Sequence, residues 1–174
     1  MSLDHAGHVA AATPTQGAVH LVLHRSGAVR LRCWPGHLEQ LQTLLDQHSF
    51  WAQGRSRRQL KRMLAGSQAV VSAWREGRLV GFGRASSDWS FRAVLWDVVV
   101  ASDQQHQGLG LRLVGALLGA PALRGVERVY LMTTNGSGFY SKLAFAPVTS
   151  QVLMLRIPTD QRPGKEGGFK KTSG

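Results

Sequence analysis

The sequence predicts one layered α+β domain, and three observations carry that prediction. Strand-like runs outnumber helical ones, and several are joined by short turns, which favours antiparallel pairing. The helical stretches show apolar residues at helical spacing and fall among the strands rather than after each one. A β-loop-α-β passage comes only once, late in the chain. With 174 residues, 43% of them hydrophobic, the chain can bury one core and is too short to argue for two.

Residues 1–17 are rich in Ala, Gly, Thr and His without a period, and 158–174 are rich in Gly, Lys and Pro. Both read as flexible tails flanking a folded domain over 18–157. "AVHLVLHRSGAVRLRCW" places two apolar stretches around Ser26-Gly27, a hairpin pattern. "HLEQLQTLLDQ" sets Leu38, Leu41, Leu44 and Leu45 on one helical face. In "SRRQLKRMLAG" the apolar face is Leu60, Met63 and Leu64 and the opposite face Arg57, Arg58, Lys61 and Arg62, with Ser56 as N-cap and Gly66 as stop. "AVVSAW" and "RLVGFGRAS" are strands joined at Glu76-Gly77, a turn-type pair.

"FRAVLWDVVVA" is the most strand-like run and leads through "SDQQHQGLG" into the helical "LRLVGALLGA". A strand "RVYLMTT", a loop with a short helix "NGSGFYSKLAF" and a last strand "SQVLMLRI" complete the order β-β-α-α-β-β-β-α-β-α-β, with no internal repeat.

The net charge is +11. The segment from Pro158 onward carries only +2 and residues 1–17 carry −1, so the folded body holds +10. Such a field attracts anions: nucleic acid, an anionic membrane surface, an acidic protein or a phosphorylated cofactor. No apolar run approaches the length of a membrane span and no signal pattern opens the chain, so a soluble, cytoplasmic protein is expected. Cys33 is the single cysteine, which excludes an internal disulfide and any CxxC zinc site; no metal is expected.

The loop Gln105-His106-Gln107-Gly108-Leu109-Gly110 stands between a valine run and a helix. A helix start offers unpaired N–H groups and the positive end of its dipole, which suits phosphate, and glycine lets the backbone approach it. A P-loop would need Gly-Lys-Ser/Thr, but Leu111 and Arg112 follow Gly110. A dinucleotide fingerprint would need a small residue at Leu113 and an earlier place in the chain.

The same six residues match, at each fixed position, the Gln/Arg-x-x-Gly-x-Gly/Ala turn of the GNAT (Gcn5-related) N-acetyltransferases. "FYSKLAF", beginning 29 residues after Gly110, resembles the FYxKxGF segment of that family, with Phe139, Tyr140, Lys142 and Phe145 in place and Ala144 where glycine is usual. "FWAQGRS", "WDVVV", "ERVYLMTT" and "GFYSKLAF" together resemble the cyanobacterial and plastid group that includes plant serotonin N-acetyltransferase-like enzymes, over roughly residues 50–156.

The resemblance implies a three-layer α/β/α GNAT fold with a mostly antiparallel mixed sheet, and acetyl-CoA as co-substrate. It implies that the backbone of Val98, Val99 and Val100 pairs with the pantetheine arm and that residues from His106 to Leu111, after Gln105, wrap the pyrophosphate, with Asn135 also touching the cofactor. Arg112 is either a further phosphate contact or a solvated first-turn residue. Tyr140 matches the tyrosine that protonates the leaving thiolate, its alternative being a core aromatic beside Phe139. Alternation puts Leu95, Asp97 and Val99 on one face of a strand, so Asp97 interrupts an apolar stripe, as a base for the amine or as a structural hydrogen-bonding group.

Cys33 with His37 lacks an orienting group, and His5/His8 and His20/His24 lack acidic or Cys partners at ligand spacing. The five tryptophans are scattered as core and cleft-wall residues, with Trp89 and Phe91 placed to line an acceptor pocket. The expected activity is acetyl transfer to a primary amine: an arylalkylamine such as serotonin, a protein lysine or a protein N-terminus. The cationic body favours acidic protein partners over cationic amines, with nucleic acid not expected as substrate. A non-catalytic basic binding module is the alternative, and monomer and homodimer both stay open.

Overall fold

The structure is a computed structural model that describes residues 17–25, 37–134 and 136–157. The two tails, the Ser26-Gly27 turn with its second strand, Cys33, Trp34 and Asn135 lie outside the described residues. The chain divides into two compact units, Met1–Asn135 and Gly136–Gly174.

In the first unit the elements run β1 (His20–Arg25), α1 (His37–His48), α2 (Arg57–Ala65), β2 (Ala69–Arg75), β3 (Arg78–Ser87), β4 (Arg92–Val100), α3 (Leu109–Leu118) and β5 (Arg128–Tyr130). The strands form one sheet in the order β1-β2-β3-β4-β5. The first four are antiparallel, and β5 joins β4 in parallel after the α3 crossover. This is the mixed α+β sheet that the element order predicts.

Local chemistry explains the helices. The four leucines of α1 are all buried. α2 opens on a full capping box: the Ser56 hydroxyl accepts from the Gln59 backbone, and the Gln59 side chain accepts from the Ser56 backbone. Its N–H-bonded stop at Gly66 and buried Leu60 and Leu64 leave the four basic residues on the exposed face. Between β2 and β3, Glu76 and Gly77 both take positive φ, 50° and 75°, as a tight two-residue hairpin requires.

The core lies on both faces of the sheet, with Leu41, Leu45, Leu60, Val71, Phe82, Leu113, Val114 and Leu117 fully buried. α3 packs close because β3 presents glycine to it. A Cβ on Gly81 would stand 2.8 Å from Leu113 Cδ1, and one on Gly83 would stand 3.0 Å from Leu117 Cδ1. Gly81 and Gly83 therefore face α3, and Phe82 and Arg84, alternating with them, face the other way.

Two sequence expectations are corrected. β5 ends at Tyr130 rather than Thr134, since its ladder with β4 stops at Val94↔Tyr130. The strand read over 150–157 is not formed: no strand among the described residues pairs with it, and Val152, Leu153, Met154 and Leu155 are exposed. The second unit instead holds a short helix α4 (Ser137–Tyr140) followed by a single 3-10 turn, Ser141–Leu143.

Candidate active site

A bulge in β4 sets the geometry of the site. Ala85 pairs with Leu95 and Arg84 with Trp96, yet Phe82 pairs with Val99 and Gly81 with Val100. Asp97 and Val98 thus stand opposite Gly83 alone, with Asp97 at φ 50°. Strict alternation would put Leu95, Asp97 and Val99 on one face, and the extra residue breaks it. Val98 lies against Gly83 on the α3 side, its Cγ2 3.5 Å from a Cβ built there. Asp97 shares the opposite face with Arg84, Trp96 and Val99.

On that face the Asp97 carboxylate meets two guanidinium groups. Arg84 Nε donates to Oδ2 at 2.7 Å, and Arg55 Nη1, from the turn between α1 and α2, lies 3.1 Å from Oδ1. The side chains of Asp97, Arg84 and Arg55 are 5%, 17% and 29% exposed. The Arg84 guanidinium also lies over the Trp96 ring, 5.6 Å from its centroid, and the Trp96 indole N–H donates to Ser86 Oγ. Asp97 thus ties the α1–α2 turn to the two central strands. Neither Arg55 nor Arg84 is legible as a site residue in the sequence; the available signal is an arginine and an aspartate inside two adjacent apolar strands.

Beyond Val94, β4 has β3 on one side and no ladder to β5 on the other. The backbone from Leu95 to Val100, including Val98–Val100, therefore presents one edge unpaired by strand among the described residues. That edge leads into the Gln105–Gly110 loop. The side-chain amide of Gln105 donates to Val100 O at 3.0 Å and that of Gln107 to Asp103 O at 3.2 Å, while buried Gln104 accepts from Arg75. His106 and Gly108 take left-handed conformations, φ 61° and 77°.

Gly108 is the N-cap of α3, and no side chain caps that helix. The Arg112 N–H bonds to Gly108 O, so the donors of Leu109, Gly110 and Leu111 precede the first intrahelical partners. Among the described residues nothing lies within 4 Å of a Cβ built on Gly108, and α3 has no acid in its first turn. These features fit a diphosphate. Arg112 donates to Val19 O at 2.9 Å, a tie between α3 and the start of β1.

In the second unit Tyr140 ends α4 and packs edge-on against Phe139 and Phe145, with centroids 4.8 and 5.9 Å away. Burial pushes its phenol above the usual value of 10.0, so it stays protonated at neutral pH. Ala144, in the place where the resembling families carry glycine, takes φ 62°. Asn135 lies outside the described residues. In the first unit, Trp89 and Phe91 are exposed in the β3–β4 loop, which Asp88 closes by accepting from the N–H groups of Arg92, Ser90 and Phe91. Those bonds hold the Asp88 carboxyl below the usual carboxylate value. Among the described residues no group of His, Cys, Asp and Glu is arranged to hold a metal, and no helix is long and apolar enough to cross a membrane.

A bulged β4 with an edge unpaired by strand among the described residues leads into a glycine-rich helix start, within a mixed α+β sheet. Residues 35–145 match the model of the acetyltransferase (GNAT) family, and the chain belongs to that family. A GNAT-family protein from Xanthomonas campestris pv. campestris superposes with a TM-score of 0.66 at 26% identity, covering 82% of this chain and 95% of its own. The chain is 37% identical over 100 residues to serotonin N-acetyltransferase 2, chloroplastic, of Oryza sativa subsp. japonica, covering 53% of this chain and 48% of the relative. It is 34% identical over 103 residues to a ycf52-like N-acetyltransferase of Prochlorococcus marinus, covering 57% and 56%. The chain thus spans about half the length of these two relatives.

Proposed function

We propose that this protein transfers the acetyl group of acetyl-CoA to a primary amine by direct attack in a ternary complex. The observation that carries the proposal is the continuity of the free β4 edge with the open start of α3. The first offers the backbone groups of Val98–Val100 that face away from β3 to the amide-bearing pantetheine arm, with Val100 O already accepting from Gln105, and the second offers the N–H groups of the His106–Leu111 backbone to the diphosphate.

In this reading the neutral amine nitrogen attacks the thioester carbon. The carbonyl oxygen gathers negative charge and draws on a β4 backbone N–H, and the C–S bond breaks as the oxyanion collapses. The thiolate takes a proton from the Tyr140 phenol, and the ammonium proton formed on attack is released to water and replaces it. The Tyr140 phenol is in its protonated form at neutral pH and so holds the proton this step needs. Asp97 we assign to positioning rather than to proton abstraction, since both carboxylate oxygens are engaged by guanidinium groups. Asn135 stays a proposed cofactor contact by resemblance.

The acceptor classes that the resemblance offers are an arylalkylamine, a protein lysine and a protein N-terminus, and the rice relative's name supports the first. For compartment we propose the cytoplasm; the rice and Arabidopsis thaliana relatives are named chloroplastic. CoA release measured with serotonin, tryptamine, polyamines and lysine-bearing and free-N-terminal peptides tests the activity. Turnover with any of them supports it. No turnover, with no acetyl-CoA binding by calorimetry, overturns it in favour of a basic binding module.

A further inference from the structure

We infer that the acceptor carries a carboxylate close to its reactive amine, and that Arg55 and Arg84 receive that carboxylate. This rests on the acetyltransferase reading and, among the acceptor classes above, favours an N-terminus beside an acid over an arylalkylamine without one. Around Asp97, two guanidinium charges face one carboxylate, which leaves one positive charge uncompensated within the cluster. Two guanidiniums also hold far more N–H donors than one carboxylate accepts from. At 29% and 17% exposed, the arginines are neither sealed in the core nor loose on the surface, so a ligand reaching them would be largely desolvated.

The cluster's position gives it a specificity role. Asp97 is the bulged residue itself, adjacent in sequence to the Val98–Val100 backbone proposed to hold the thioester. Arg84 is oriented by the Trp96 ring on which it lies, and Arg55 by its ion pair and its contact to Met63 Sδ at 3.6 Å. A cationic amine without an acid would meet net positive charge here, and each Asp97 oxygen is already engaged by a guanidinium group. An amine beside a carboxylate matches the arrangement: the acid engages the forked guanidiniums and the amine nitrogen points to the bulge. An α-amino acid, or a peptide N-terminus followed by an acidic residue, has this chemistry.

Matched acceptors test the inference: tryptophan against tryptamine, and a peptide with glutamate at its second position against the same peptide with glutamine. The wild type should favour the acid-bearing member by about tenfold or more in kcat/KM, the scale of one charge-assisted hydrogen bond. Arg55→Gln should cut that preference at least about tenfold, mainly through KM, and Arg55→Lys should restore part of it. Equal rates for the matched pairs overturn the inference, as does an Arg55→Gln loss that falls in the same proportion on both members. If acid-bearing and acid-free acceptors turn over equally well, the acetyltransferase reading survives alone. Failure of every acceptor together with absent acetyl-CoA binding ends both.

Discussion

Arg84 Nε and Asp97 Oδ2 stand 2.7 Å apart across a strand ladder that slips by one residue just beside them. The slip places the carboxylate on the face where two arginines wait for it. Asp97→Ala would leave half-buried Arg84 without its counter-charge, at a cost of up to about 3 kcal/mol, the lower end for fully buried pairs. Asp97→Asn, which keeps the shape, should cost less. Urea unfolding of both variants measures the difference, and equal stability to the wild type would show the pair to be unimportant.

Gly108 caps α3 in a conformation that side-chain-bearing residues reach only at about 1–2 kcal/mol. Gly108→Val would add a branched side chain in the open space before the helix. The affinity for acetyl-CoA, read by calorimetry, should fall roughly tenfold or more. Gly115→Ala, on the exposed body of the same helix with nothing within 4 Å of the new Cβ, should leave it unchanged.

Tyr140→Phe should lower kcat at least about tenfold while leaving acetyl-CoA affinity within about twofold, the pattern of a lost proton donor. The wild-type phenol also links stability to pH. Its folded value lies above the unfolded value of 10.0, so its contribution is complete below pH 10 and declines as pH rises past it. The wild type should therefore lose stability between pH 9 and 11 more steeply than Tyr140→Phe, as thermal melts would record.

Ala144 holds φ 62° after the 3-10 turn, where its Cβ strains the backbone. Ala144→Gly removes that strain, about 1–2 kcal/mol, and loosens the unfolded chain, an opposed effect of about 0.4–1 kcal/mol. A small net gain in Tm, on the order of 1–2 °C, is expected. A loss would mean that the alanine methyl packs better than its conformation costs.

What the sequence reveals and what it hides divide along the range of the forces involved. The leucine spacing of α1, the Ser56 and Gly66 caps of α2 and the Glu76-Gly77 turn are decided within a few residues, and all three stand as read. The helix start behind the Gln105–Gly110 loop is legible for the same reason, since the switch from strand to helix at Gly108 is local chemistry. The bulge was not, because alternation in "VLWDVVV" is judged against an ideal strand while the slip is decided by Gly83 on the neighbour. Arg55 and Arg84 stayed hidden because their value comes from a carboxylate distant in sequence. Residues 150–157 show the converse: an apolar, strand-like run becomes a strand only where an edge receives it.

The extra residue at position 97 is one the sheet could do without. Spelled without it, β4 would read as a plain zigzag in which Val98 takes Gly83 as partner while Val99 and Val100 keep Phe82 and Gly81. Shortening a strand is ordinarily among the harshest edits a protein can receive. Here it would regularise the ladder, and the only groups left stranded would be the two arginines. Removing Asp97 together with those two charges would thus leave a regular sheet, with the β4 edge and the α3 start in place, that has lost the cluster proposed to select the acceptor.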